Sequence, residues 1–116
     1  MRHQMKKVKL DRKAGSRKAL LANLVESLIL FEKITSTKAK AKATKSLVEK
    51  YITVAKKNTL AARRELIAKL HTDNVVKKLM EVLAPRFKDR KGGYTRIILL
   101  NRRKGDGAEE AVIEFV

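Results

Sequence analysis

A formal net charge of +17 carried by only 116 residues is the strongest constraint on what this chain can form. Lys and Arg number 29 against 12 Asp and Glu, so any compact state must hold like charges close together. Such self-repulsion opposes folding unless a polyanion offsets it, which makes nucleic acid the expected partner. The chain is nonetheless 44% hydrophobic, enough for a packed core rather than a disordered tail. At this length roughly two-thirds of the unfolded surface can be buried, in one domain.

Apolar spacing supplies the elements. Leu20, Leu21, Leu24, Leu28 and Phe31 form one helical stripe, flanked by Val25 and Ile29, with Ser16 as the expected N-cap. Lys33 to Thr37 is short and rich in β-branched residues, which predicts a strand. A second helix, capped by Ser36 or Thr37, should run to about Lys57 with Leu47, Val48, Tyr51, Ile52 and Ala55 inward. Lys38, Lys42, Lys45 and Lys56 then share the opposite arc, interrupted by Glu49. Two shorter helices follow. The first, about Thr59 to Leu70, turns Leu60, Leu66, Ile67 and Leu70 inward; the second, about Asn74 to Leu83, has Asp73 as N-cap and stops before Pro85. Strands over about Thr95 to Arg102 and Ala111 to Val116, joined by Lys104-Gly105-Asp106-Gly107, read as a hairpin. The expected class is therefore α+β, in two layers, ordered helix, strand, three helices, two strands, with helices on one face of a small three-stranded sheet.

Residues 1–15 read differently from residues 16–116. The opening segment holds Arg2, Lys6, Lys7, Lys9, Arg12 and Lys13 against a lone Asp11, too little apolar surface to fold by itself. It is expected to be an extended basic arm that orders on phosphates, continued by Arg17 and Lys18. A second basic cluster lies in Arg86-Phe87-Lys88-Asp89-Arg90-Lys91-Gly92-Gly93-Tyr94-Thr95-Arg96. Arginine forks suit phosphate oxygens, glycines allow close backbone approach, and Tyr94 has a ring able to stack on an unpaired base. The alternative for Phe87 and Tyr94 is a place in the core. The candidate RNA-binding set is completed by Lys38, Lys42 and Lys45 on the second helix, Lys91 in the loop, and Arg102 and Arg103 beside the hairpin turn. No sheet carries the paired aromatics of a base-reading platform, so backbone and shape recognition is the mode expected.

Catalysis finds little to build on. His3 and His71 lie in unrelated segments, there is no cysteine, and Glu109 and Glu110 are adjacent, so in a strand they would point to opposite faces. Gly92-Gly93 lacks the context of a phosphate cradle, and His71 is expected at a helix end. Neither a metal nor a cofactor nor a small-molecule substrate is expected. The stretch Leu20 to Phe31 is too short and too interrupted to cross a bilayer, so membrane insertion is not expected. The location expected is the cytoplasm or the interior of an organelle of bacterial ancestry.

Particular blocks carry a family resemblance. Met1-Arg2-His3, Lys9-Leu10-Asp11-Arg12 and Arg17-Lys18-Ala19-Leu20-Leu21-Ala22-Asn23-Leu24 open the chain. Glu32-Lys33-Ile34-Thr35-Ser36-Thr37 is followed by Lys38-Ala39-Lys40-Ala41-Lys42, and the most specific block runs from Pro85 to Ile97. Arg102 to Glu109 and Val112 to Val116 close the series. In this order, across nearly the whole chain, the blocks resemble the bacterial large-subunit ribosomal protein seventeen family. Gln4 and Lys42-Ala43-Thr44-Lys45 depart from its usual pattern.

The resemblance implies a mixed three-stranded sheet with helices and a structural role in the large ribosomal subunit, near the exit side of the peptide tunnel. It implies large-subunit ribosomal RNA and neighbouring ribosomal proteins as partners, with no homo-oligomer. Its RNA-facing positions would be Arg2, His3, Lys6, Lys9, Arg12, Arg17, Lys38, Arg86, Arg90, Tyr94 and Arg96. A free architectural nucleic-acid-binding protein is the alternative reading of the same charge.

Overall fold

The computed structural model describes residue 10 and residues 12–116. Arg2, His3, Lys6, Lys7 and Lys9 therefore lie outside the described residues. Helix α1 (Ala14–Phe31) leads into strand β1 (Lys33–Thr37), then α2 (Lys38–Ala55), α3 (Leu60–Leu70) and α4 (Asp73–Lys78). The helical path continues through a π-helical turn, Leu79–Leu83, and a last α-helical turn, Ala84–Arg86. Strands β2 (Thr95–Leu99) and β3 (Glu110–Phe115) complete the chain. The α+β class and the element order are those read from the sequence.

The sheet order is β1-β3-β2, and both neighbouring pairs are antiparallel. The mixed sheet implied by the resemblance is thus corrected to an all-antiparallel one. β1 and β2 do run in the same direction, but β3 lies between them and supplies every ladder hydrogen bond. Alternation along β3 sends Ala111, Ile113 and Phe115 into the core, where α2 crosses all three strands. On the opposite face the register aligns Thr35, Val112 and Ile98 in one row and Lys33, Glu114 and Arg96 in the next.

Burial corrects several expected inward positions. In α1, Val25, Leu28 and Ile29 are fully buried, whereas Phe31 is 73% exposed. The chain leaves α1 through Glu32 in the left-handed region (φ 64°), so the helix ends at Phe31 and its ring is carried beyond the sheet's cover. Leu60 and Ile67 are also exposed, because α3 presents only the narrow stripe of Ala62, Leu66 and Leu70 to its neighbours. Leu47 and Tyr51 are half-buried at the edge of the core, while Val48, Ile52 and Ala55 fill it.

The helix ends differ from expectation in a consistent way. Ser16 lies inside α1, whose N-cap position is Lys13. Thr37 has the extended backbone of an N-cap for α2 but makes no side-chain capping bond. Thr72, not Asp73, precedes α4, and its hydroxyl donates to Glu26 Oε1 at 2.9 Å; Asp73 instead sits in the first turn, where its charge suits the helix dipole. Among the described residues only Thr59 caps with its side chain, accepting from the Ala62 N–H at 3.1 Å. His71 closes α3 in the left-handed region, its N–H donating to the Ile67 carbonyl.

Pro85 does not end the fourth helix. Ala84 keeps helical angles (φ −60°, ψ −46°), and its N–H donates to the Leu79 carbonyl across the wider π turn. A proline ring ordinarily clashes with the carbonyl one turn earlier and leaves it without a donor. The π turn changes the pairing just before Pro85, and Pro85 falls in the first turn of the final α segment, where its missing N–H is tolerated. Leu79, Met80, Leu83 and Ala84 stay in the core as a result. Among the described residues no helix is long and apolar enough to cross a membrane.

Candidate nucleic-acid interface

The loop between the last helical turn and β2 is built from the inside out. Phe87 and Tyr94 are 4% and 2% exposed, with ring centroids 5.2 Å apart; Phe87 also meets Phe115 at 6.0 Å. Of the two readings of Tyr94, stacking on a base and a place in the core, the ring takes the second, because three aromatic rings close the end of the sheet. Its hydroxyl accepts a hydrogen bond from Lys56 Nζ at 3.0 Å, and the same ammonium donates to the Arg90 carbonyl at 2.5 Å. Lys56 also lies 5.1 Å from the Tyr94 ring centroid. That ammonium holds the Tyr94 phenol below its ordinary range, against the opposing effect of burial.

Glu49 supplies the second tie. Its Oε2 accepts from the Thr95 N–H at 3.2 Å and from the Thr95 hydroxyl at 3.0 Å, satisfying a residue that is only 3% exposed. Lys56 and Glu49 thus turn part of the expected cationic arc of α2 toward the loop rather than toward solvent. With both loop ends fixed, the chain between them turns back through Gly92 (φ 143°) and Gly93 (φ 60°), the second in a region glycine occupies without steric cost. Arg90 Nε donates to both glycine carbonyls, at 3.2 and 3.1 Å.

The candidate cations fall into two groups. Arg86 pairs with Glu32, which also binds Lys78 at 3.2 Å. The Arg86 guanidinium, with Lys78 beside it, holds the Glu32 carboxyl below the usual carboxylate range in spite of partial desolvation. Arg96 pairs with Glu114 at 3.6 Å, Lys38 with Glu109 at 3.6 Å and Arg102 with the same Glu109 at 3.2 Å. Arg103 grips Asp106 through two nitrogens, at 3.2 and 2.6 Å. That contact and the Ala108 N–H pull the Asp106 carboxyl down to about 2. Arg12, Lys13, Arg17, Lys18, Lys42, Lys45, Arg90 and Lys91 form no ion pair among the described residues.

Charge is therefore spent unevenly. Around the hairpin and Glu32, arginines brace the fold and keep only part of their hydrogen-bonding capacity. At the start of α1, along the middle of α2 and at the tip of the loop, uncompensated cations face solvent. Lys38 and Lys42 flank a surface recess of about 400 Å³ with Glu109 opposite them. Sequence reading missed Glu49, Lys56 and Glu32 as organising residues. Their partners lie 46, 38 and 54 positions away, so no local pattern joins them.

Comparison with known proteins bears on the family of the chain. Residues 20–116 match the family described as Ribosomal protein L17. The chain is 52% identical to the large ribosomal subunit protein bL17 of Hydrogenobaculum sp. (strain Y04AAS1), over 100% of this chain and 99% of that relative. It is 52% identical to the bL17 of Solibacter usitatus, over 100% of this chain and 77% of the relative, and 49% identical to that of Caldanaerobacter subterraneus, over 93% and 96%. With a family match over most of its length and a 52% identical relative matched over nearly the whole of both chains, the chain belongs to the ribosomal protein L17 family.

Proposed function

We propose that the chain is a structural constituent of the bacterial-type large ribosomal subunit and binds its large ribosomal RNA through phosphate and shape contacts. Family membership carries the assignment to the subunit, since the relatives are large-subunit proteins. The cations without carboxylate partners support the RNA contact, because each can neutralise a phosphate without first breaking an internal pair. In this reading the basic arm, residues 1–15, threads between RNA segments while residues 16–116 fix its approach. The same reading puts the protein near the exit side of the peptide tunnel, with neighbouring ribosomal proteins as partners.

The role proposed is structural rather than catalytic. Glu32, Glu49, Glu109 and Asp106 are each occupied by a cation or an N–H of the chain itself. Sedimentation of cell lysate through a sucrose gradient tests the assignment. The chain should travel with the large subunit and remain there after low magnesium separates the subunits. Its appearance at the top of the gradient, or with the nucleoid, would overturn the reading in favour of a free architectural nucleic-acid-binding protein.

A further inference from the structure

Between the first half of α1, the middle of α2 and the end of α3 lies a cleft that none of the loop contacts explains. One part, about 570 Å³, is lined by Lys18, Ala22, Leu47, Tyr51 and Lys69 among others; a second part, about 530 Å³, shares Leu47, Tyr51 and Lys69 and adds Lys50. The two are continuous through those shared residues. The space exists because α1 buries only Val25, Leu28 and Ile29, so its first half stands off from α2 and α3. Tyr51, half-buried, contributes to both parts.

The chemistry of this cleft is an aromatic ring and aliphatic floor rimmed by ammonium groups. Lys18, Lys50 and Lys69 form no ion pair among the described residues, and Glu65 is the only carboxylate in the lining. We propose that the cleft receives one unpaired nucleotide, its base against Tyr51 and its phosphates among Lys18, Lys50 and Lys69. The cleft has room for a base with its sugar, and unpaired bases are commonly held on aromatic side chains. Gly15 in the lining, two residues after the N-cap Lys13, brings the cleft to the N-terminal end of α1, where the basic segment of the sequence joins the helix. That segment is itself strongly cationic, so it is a poor occupant of a lysine-rimmed site, whereas an RNA strand following it is drawn in. The proposal rests on the RNA-binding reading above and adds a defined site to it.

The test places photoreactive benzoylphenylalanine at position 51 of the full chain, in cells where it replaces the ordinary copy, and irradiates purified large subunits. A cross-link to one nucleotide of the large ribosomal RNA is the expected result. That nucleotide should be protected from chemical modification in subunits carrying the ordinary chain or Tyr51→Phe, and exposed in those carrying Tyr51→Leu, which keeps apolar bulk in the cleft. On an RNA transcript spanning the cross-linked nucleotide, Tyr51→Leu should bind about 5- to 150-fold more weakly than Tyr51→Phe. A cross-link to another protein or to residues 1–13 of the chain, or none from a chain that is present in the subunits, overturns the proposal while leaving the ribosomal reading intact. Absence of the unsubstituted chain from large subunits overturns both.

Discussion

Lys56 Nζ sits 3.0 Å from the Tyr94 hydroxyl and 2.5 Å from the Arg90 carbonyl, so one ammonium at the C-cap of α2 fixes both the buried and the exposed part of the basic loop. Lys56→Met keeps the aliphatic stem and removes these bonds. A hydrogen bond to a charged group is worth roughly 1.5–3 kcal/mol, less where water can replace it, so a loss of about 1–2 kcal/mol is expected. Thermal denaturation should show Tm lowered by roughly 4–8 °C for a domain of this size. Tyr94→Phe should cost less, since the ring and its contacts with Phe87 remain.

Glu49 and Thr95 form the other anchor, and here the two obvious substitutions should separate. Glu49→Ala leaves a buried N–H and hydroxyl without an acceptor, which costs about 1–3 kcal/mol. Glu49→Gln retains one acceptor oxygen and should lose less than half as much. Urea denaturation of the two variants beside the parent measures the difference; equal losses would mean that charge, not acceptance, is what Thr95 requires.

The Glu32 carboxylate between Arg86 and Lys78 gives a pH-dependent contribution. Its pKa is lowered in the folded chain, so its stabilising effect is complete above the unfolded value and disappears as pH falls through the lowered one. The pairs are partly exposed, so Glu32→Gln should cost only about 0.5–1 kcal/mol at neutral pH. The gap between parent and variant should close in acid, below the lowered pKa. A gap that stayed constant with pH would assign the effect to packing.

The hairpin carries a second acid-sensitive contact. Asp106, held at about 2 by Arg103 and the Ala108 N–H, should remain ionised when other carboxylates have begun to protonate. Its contribution is present above the ordinary value near 3.8 and is lost as pH falls toward 2. Carboxyl carbon shifts followed by NMR should titrate late for Asp106, and the Ala108 amide should move with them. Midpoint behaviour near 3.8 would show that the Arg103 fork is open in solution.

Paired and unpaired cations should differ in salt dependence. On the proposed reading, in which Arg17 and Lys18 each neutralise a phosphate, Arg17→Gln with Lys18→Gln should reduce the slope of log affinity against log salt by about 1.4–1.8, depending on RNA form. Arg102→Gln with Arg103→Gln, which leaves Glu109 with Lys38 alone and strips Asp106 and Glu110 of their guanidinium, should leave carboxylates unscreened and also loosen the hairpin. A thermal shift should therefore accompany any affinity loss in the second pair and be absent in the first.

The sequence by itself determined the class, the order of elements and the limits of β1, because period and β-branching are local properties of a few consecutive residues. It also placed the hairpin and the concentration of positive charge, and its motif blocks identified the family before any contact was known. Tertiary structure alone decided that β3 lies between β1 and β2, since pairing depends on segments more than seventy residues apart. It turned Phe31 outward and Tyr94 inward, because cover by another element is not written next to a residue. Pro85 remains helical because a π turn precedes it and the core holds Leu79, Leu83 and Ala84 in place. The division of the cations followed the same logic. Whether Arg86 or Arg17 has charge to offer a phosphate depends on whether a carboxylate is folded against it, and folding brought Glu32 to one and no described carboxylate to the other.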